Sequence, residues 1–533
     1  MTTMEHPLAD RLRALWRPDG AGGADGAEDV DIWSPRPDEV YARVPAARLA
    51  ADCARLVADG ARLVTLYGDD LGDALRVTAA LALDGSILAL ESSLDPAEPR
   101  YPALTPAIPA AHWYERALHD LFGIVPEGHP WLRPLVLHEE WADGAHPLRA
   151  TYPRDAVPSP VEGAVWVPPS IEGEGVFAIP YGPVRSGVFE SAQFLVQTAG
   201  EDILAMTPRL FYKHRGIEKL FTAVPLDQAV LVAEHTAGVA ALAHSLAFCQ
   251  AVERAVGVEA PPRAAAIRTI CAELERLHNH LDALLRECET ASLAVGQAQF
   301  AMVRERVLRL NAELVGHRFL RGVNRIGGVR VDLGPVQHAV LVGALDRIEA
   351  DYTRTVGRFL GTTSMRDRLL TTGRLSTDTA LAFGAVGPVA RGSGLDLDTR
   401  RDRPYAAYDR APVVVQVEHA GDALARTRVR IGEIENSLTI IRETMADLPD
   451  GPLSVEVPDA PAGARAFGWA EAPQGEVVYA VRLGPGRRLA RCAVRSPSFC
   501  NWSFYERTMH RNVLTDVGFI EHSFALSQAG CDG

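Results

Sequence analysis

Apolar residues recur at helical spacing, i, i+3, i+4 and i+7, over 226–256, 262–288, 297–318, 335–360 and 419–446. Each stretch holds at least three turns, which predicts a helical bundle for the second half of the chain. The first half is patterned differently. Alanine and leucine repeat at helical spacing from Ala46 to Asp59, whereas Arg62–Tyr67 and Leu88–Ser93 read as short strands, so a unit mixing helix and sheet is expected there. Near the end, Glu476–Arg482 and Arg488–Arg495 alternate around a Gly-Pro-Gly turn, the mark of a small hairpin. The fold class is therefore α+β, with a mixed N-terminal domain followed by a mainly helical one that carries small β elements.

Composition punctuates this pattern. Residues 18–38 are rich in Gly, Asp and Pro and bury little surface, and the stretch 142–180 contains Pro147, Pro153, Pro158, Pro160, Pro168, Pro169 and Pro180 without periodicity. The expected organisation is a flexible segment 1–38, a compact domain 39–141, an extended linker 142–180 and a large domain 181–533. With 47% hydrophobic and 23% charged residues, the 533-residue chain has ample apolar mass for two cores. Its net charge of −14, with basic residues interspersed among acidic ones, argues against nucleic acid as a partner. No window approaches the roughly 20 apolar residues of a membrane helix, and the first residues carry Glu5, Asp10, Arg11, Arg13 and Arg17 where a signal peptide would be apolar, so a cytoplasmic location is expected. Cys53, Cys249, Cys271, Cys288, Cys492, Cys500 and Cys531 stand singly, without a CxxC pair, and read as reduced, buried thiols.

Within the first domain, WYERALHDLFGIVPEGHPWLRPLVLHEEW at Trp113–Trp141 carries Glu115, Arg116, Asp120, Phe122-Gly123-Ile124, Gly128-His129-Pro130, Leu132 and Arg133. Read from the residues alone, Phe122-Gly123-Ile124 is a turn into a strand, and the histidine of the second turn can bond a backbone carbonyl. The pattern resembles the signature of the complex I 30 kDa subunit, with Ala117 where that family carries a second glutamate, and the resemblance implies a docking module.

Four stretches mark the large domain: HRGIEKL at His214–Leu220, ELERLHNHL at Glu273–Leu281, RGVNRIGGVRVDL at Arg321–Leu333, and GPVARGSGLDLDTRRDRPYAAYD at Gly387–Asp409. In the first, charges around Gly216 suggest a close backbone approach within a salt-linked turn. In the second, Glu273, Arg276 and His280 form a polar stripe at i, i+3 and i+7, either a buried ion-pair network or a proton relay. Arg391-Gly392-Ser393-Gly394 reads as a flexible turn; with no Lys-Ser/Thr after its glycines it is not a phosphate loop, and the chain has no strand-linked GxGxxG for a nicotinamide. Together these stretches resemble the complex I 49 kDa subunit and the nickel-iron hydrogenase large subunit. The fused order and RSPSFCNW look most like the formate hydrogenlyase and energy-converting hydrogenase group.

That resemblance implies a site and its partners. The first CxxC of a nickel-iron centre aligns with Ala237 and Ala240, and the second with Ser527 and Gly530, with Cys531 one residue late. Four thiolates on a soft metal cannot be replaced by two methyls, a hydroxyl and a bare backbone, so no metal is expected on this chain. The quinone-site histidine and tyrosine of complex I align with Phe189 and Phe248, and the aspartate with Thr290. Phe189, Phe248, Arg185 and His235 would line a quinone cavity, and Glu190 and His244 are the candidates for proton transfer. By the same resemblance the chain binds no cofactor itself. A [4Fe-4S] cluster sits on a partner iron-sulfur small subunit, a quinone is the acceptor to consider, and NAD concerns the complex alone. Antiporter-like membrane subunits complete an assembly to which this chain is peripheral, on the inner face of the cytoplasmic membrane.

Overall fold

The computed structural model describes residues 7–15, 31–142, 144–153, 155–185 and 190–533. The chain divides into two compact units, 1–166 with Ala382–Gly384, and 167–381 with 385–533.

The first unit begins with helix α1 (Pro7–Leu15) and builds a five-stranded sheet from β1 (Ile32–Arg36), β2 (Glu39–Arg43), β3 (Arg62–Asp70), β4 (Leu75–Leu83) and β5 (Ser86–Leu94). Strand order is β1-β2-β5-β4-β3, with β2 and β5 parallel and the other neighbours antiparallel. Helix α2 (Ala46–Ala58) makes the crossover between parallel β2 and the sheet, burying Leu49, Cys53 and Leu56. A short parallel pair, β6 (Arg100–Pro102) and β7 (Val125–Glu127), flanks helix α3 (His112–Phe122). Gly123 ends α3 in the left-handed conformation, φ +72°, and the chain turns into β7 as the FGI motif predicts.

The second unit opens with an antiparallel sheet, β8 (Val176–Tyr181), β9 (Gln193–Ala199) and β10 (Asp202–Arg209), followed by helices α4 (Ile217–Ala223) and α5 (Leu226–Glu234). The continuous helix expected over 226–256 is instead two, α5 and α6 (Ala241–Val256), bent by 107°. The break has a local cause: Arg215 takes the carbonyls of His235 and Thr236 at 2.7 and 2.8 Å, satisfying acceptors that a longer helix would have bonded internally. Helices α7 (Pro262–Thr290), α8 (Ala294–Val315) and α9 (Pro335–Gly361) form the bundle, with a minimal ribbon of β11 (Asn324–Arg325) and β12 (Gly328–Val329) between α8 and α9. Short helices α10 (Thr363–Leu369), α11 (Thr377–Ala382), α12 (Gly387–Gly392) and α13 (Thr399–Asp402) lead to α14 (Ala423–Ala446), whose N-terminus is capped by the Asp422 carboxylate.

The expected hairpin is a three-stranded sheet of β13 (Arg465–Ala472), β14 (Gly475–Leu483) and β15 (Leu489–Arg495). It packs on α6 so closely that a Cβ at Gly468 would lie 2.2 Å from the Ala247 carbonyl oxygen. Helices α15 (Pro497–Trp502), α16 (Val517–Phe524) and α17 (Gln528–Asp532) end the chain. Two local expectations are corrected. Arg391-Gly392 is not a flexible turn but the end of α12, with Arg391 fully buried. Gly216 is required by its φ of +64° at the start of α4, not by a close approach, since a Cβ there would meet open space.

Candidate functional site

The last helix is fastened onto the early part of the second unit by side chains from three sequence-distant segments. Asp532 accepts from the backbone N–H of Phe211 and Lys213, each at 2.9 Å, while its own carbonyl is 2.7 Å from His214 Nδ1. Arg215 donates to the carbonyl of Ala529 at 2.8 Å. Glu190 Oε2 accepts from Ser527 Oγ at 3.0 Å and from the Ala529 N–H at 3.1 Å. Arg185 is held at 2.7 Å from Glu521 and donates to the Glu190 carbonyl, with Tyr181 and Phe194 rings 5.4 and 5.2 Å from its guanidinium carbon. Burial pushes the Asp532 carboxyl up to about 7, against the N–H bonds it accepts from Lys213 and Phe211.

At the centre of this clasp lie the positions aligned with thiolate ligands. Ala237 sits in extended backbone at the α5–α6 break, Ala240 closes the single turn after it, and Ser527 and Gly530 start α17. A Cβ on Gly530 would stand 2.9 Å from the Ala237 Cβ and 3.4 Å from the Ser527 Cβ. The fold thus brings the early and late positions together, as a shared metal would require, but so closely that a side chain at Gly530 would collide with Ala237, with the Ser496 hydroxyl 3.4 Å away. The Ser527 hydroxyl is committed, accepting from the Gly530 N–H at 3.0 Å while it donates to Glu190. Burial raises the Cys531 thiol well above its ordinary value, which keeps it protonated. This donor set does not fit a nickel-iron group.

His244, on the first turns of α6, is fully buried, with Nδ1 2.9 Å from the Tyr479 hydroxyl of β14. That hydroxyl also lies 3.3 Å from Thr236 Oγ1, and His244 Nε2 has no partner among the described residues. Burial, and then Arg215, lower the His244 pKa to about 3, so the imidazole is neutral at physiological pH. Phe248, one turn on, stacks on Phe221 at 5.2 Å and meets Tyr479 edge-on at 5.9 Å. It is part of a packed aromatic cluster. His235 lies apart from this cluster, exposed at the end of α5, with Nδ1 2.6 Å from the Leu231 carbonyl. Thr290 bonds within its own helix, to Arg286 O at 2.9 Å. Phe189 falls outside the described residues.

The polar stripe of α7 is an ion-pair network far larger than the stripe alone suggests. Glu433 of α14 receives His280 at 2.8 Å, Arg276 at 3.2 Å and Arg391 at 2.7 Å. Arg391 reaches Glu471 at 2.9 Å and Asp398 at 3.4 Å, and Asp398 in turn holds Arg400, which bonds Glu273 at 3.1 Å. Thr399 links Glu471 to Glu476, which pairs with Arg403 and Arg495. Five arginines therefore face five carboxylates, all buried. Burial alone would raise Glu433, but Arg391, with His280 and Arg276, holds it well below the usual carboxylate range. Burial lowers His280 to about 4 despite its bond to Glu433. Five arginines set against five carboxylates balance the network in formal charge, and His280 is neutral at physiological pH. The network joins α7, α12, α13, α14 and the β13–β15 sheet through buried ion pairs.

Three partners of the candidate site escape a reading of the sequence: Glu521 and Asp532 in the C-terminal helices, and Tyr479 beside His244. Each meets its counterpart across 235 to 336 residues of chain, and no local pattern signals such a pairing.

An α+β unit followed by a helical unit whose α5–α6 break meets its final helix defines a two-domain protein of the complex I and hydrogenase class. Residues 42–157 match the family described as respiratory-chain NADH dehydrogenase, 30 Kd subunit, and residues 296–465 match its 49 Kd subunit family. Residues 215–282 match the nickel-dependent hydrogenase family. Relatives include formate hydrogenlyase subunit 5 of Escherichia coli, 33% identical over 80% of this chain and 76% of the relative, and hydrogenase-4 component G of the same organism, 33% identical over 85% and 81%. The fused C/D polypeptide of NADH-quinone oxidoreductase from Rhodopseudomonas palustris is 30% identical over 70% of this chain and 67% of its own length. The chain belongs to the fused 30 kDa/49 kDa complex I family, on the side that includes formate hydrogenlyase subunit 5 and hydrogenase-4 component G.

Proposed function

We propose that this chain is a peripheral-arm subunit of a membrane-bound, hydrogenase-related respiratory complex, and that it takes part in energy coupling without a nickel-iron centre. Its partners in this reading are an iron-sulfur small subunit, which holds a [4Fe-4S] cluster, and antiporter-like membrane subunits. No single helix among the described residues is long and apolar enough to cross a membrane. The observation that supports the reading is the close approach of Gly530 to Ala237, two of the four positions aligned with thiolates, so tight that a Cβ added at Gly530 would lie 2.9 Å from the Ala237 Cβ. The clasp of Glu190, Arg215 and Asp532 keeps the C-terminal helix attached without metal.

A second reading, reduction of a quinone, has one observation in its favour. The Tyr479–His244 pair sets a hydroxyl and an imidazole against Phe248, the position aligned with the family's quinone-site tyrosine. Assaying the complex purified from native membranes for inhibitor-sensitive reduction of quinone analogues separates the two. Coupling without redox chemistry predicts no reduction above a preparation lacking this chain. Turnover lost in Tyr479→Phe would establish the second reading.

A further inference from the structure

Two buried carboxyl groups flank the α5–α6 corner. Glu275 of α7, 2% exposed, accepts the Leu242 N–H through Oε1 at 2.8 Å and the Ala243 N–H through Oε2 at 2.9 Å, and so holds the start of α6. Glu234, also 2% exposed, ends α5 and accepts the Gly322 N–H at 2.7 Å. Neither carboxyl has a salt-bridge partner among the described residues. The charged groups acting on Glu275 are its neighbour Arg276, already committed to Glu433 at 3.2 Å and the Glu471 carbonyl at 2.7 Å, and Glu234 itself. Arg321, His235 and Arg330 act on Glu234. Asn279 and Asn324, which bond the Glu275 and Leu242 carbonyls at 2.9 and 3.2 Å, are neutral, and burial, then Glu275, push the Cys271 thiol up to about 12. A carboxylate without a cation is costly in such a place, and burial favours the protonated form of both groups.

The corner between the two groups has room to move. Arg215 fixes the end of α5 through the His235 and Thr236 carbonyls, so the freedom lies in residues 237–240. There Ala237 is extended, a Cβ on Gly238 would meet open space, and Val239 is 38% exposed. We propose that the α5–α6 corner is a proton-operated hinge: it stays packed while Glu275 holds a proton, and loss of that proton favours an opened corner in which the carboxylate reaches water. His244 directly follows the clamped Ala243, so opening draws it from the Tyr479 hydroxyl, 2.9 Å away in the packed state. A proton exchanged at Glu275 thereby becomes a movement of the segment that carries His244, whichever reaction the complex performs.

Hydrogen exchange of the full chain, read by mass spectrometry at a series of pH values and corrected for the intrinsic pH dependence of amide exchange, tests the hinge. The packed corner binds the Glu275 proton up to about pH 8 and the opened one only to the ordinary carboxylate value of 4.5, so opening releases a proton between those limits. Protection of residues 238–246 should fall by up to about tenfold per pH unit across that window and level off above it. It should also lie at least about tenfold below that of the buried middle of α7, because a local opening precedes global unfolding. In Glu275→Gln, which cannot ionise, the protection of 238–246 should be level across the window. A flat wild-type profile, or protection equal to that of α7, which means that the corner opens only when the whole unit unfolds, would overturn the hinge. Both are read on the wild-type chain alone and need no folded variant. A fall that persists in Glu275→Gln would overturn the assignment to Glu275.

Discussion

Removing one carboxylate from the buried network should destabilise the second unit far more than removing an exposed one. Glu433 is the sharpest target because Arg276, His280 and Arg391 all converge on it, at 3.2, 2.8 and 2.7 Å. Glu433→Gln keeps the shape but leaves five buried arginines against four carboxylates. Breaking a buried pair in this way costs about 3–5 kcal/mol, because the surviving charge stays desolvated. For a unit of 364 residues, with an unfolding entropy of about 2.1 cal/mol/K per residue, that cost lowers the melting temperature by roughly 4–7 °C. Differential scanning calorimetry of the purified chain measures it directly. Glu305→Gln, which removes an exposed carboxylate bonded to Arg309 and Arg318, is the control and should leave the transition within a degree of wild type. Combining Glu433→Gln with Arg391→Met restores charge balance and should cost clearly less than the two single changes added together. Strict additivity, or a Glu433→Gln shift no larger than that of Glu305→Gln, would refute the description of the network as a balanced, mutually compensating set.

Further predictions concern burial, packing and hydrogen bonding. Glu275 is fully buried; desolvation pushes it up to about 8, although the N–H groups of Leu242 and Ala243 bond it at 2.8 and 2.9 Å. Between about pH 4.5 and 8 the folded chain thus holds a proton that the unfolded chain has released, so this group makes stability fall as pH rises, by up to about 1.4 kcal/mol per pH unit. The melting temperature of Glu275→Gln should fall less steeply than wild type across that window, and parallel profiles would refute the assignment. Gly468→Ala drives a methyl into the backbone of α6, 2.2 Å from Ala247 O, and should cost about 3 kcal/mol or prevent folding, read as soluble yield and melting temperature. Tyr479→Phe strips His244 Nδ1 of its partner and should destabilise by about 1–3 kcal/mol while moving the His244 ring nitrogen resonances in selectively labelled protein; unchanged resonances would remove the pair.

How much of this was legible in the sequence follows from the range of the interactions. The long helices α7, α8, α9 and α14 are visible because an apolar stripe of period 3.6 is a local property. Strand β13, RAFGWAEA, is buried on both faces and so lacks alternation, and β8 alternates weakly with a proline inside it. The α5–α6 break is hidden because TAGVAALAHS is compatible with helix, and only Arg215, some 20 residues upstream, competes for its carbonyls. Likewise Glu273, Arg276 and His280 are recognisable as a polar stripe, but Glu433 and Glu471 come from 153 to 195 residues away. The stripe alone leaves relay and ion-pair readings open, and the partners that make it a network lie too far along the chain to be read from it.

The central claim is the proposal that this chain works without a nickel-iron centre, its aligned ligand positions being Ala237, Ala240, Ser527 and Gly530, with Gly530 too close to Ala237 to accept a Cβ. Nickel quantified against protein in the complex purified from native membranes tests it most directly. The account predicts nickel far below one atom per copy of this chain, unchanged by growth in nickel-supplemented medium. One nickel per copy, retained through chelation, would contradict it.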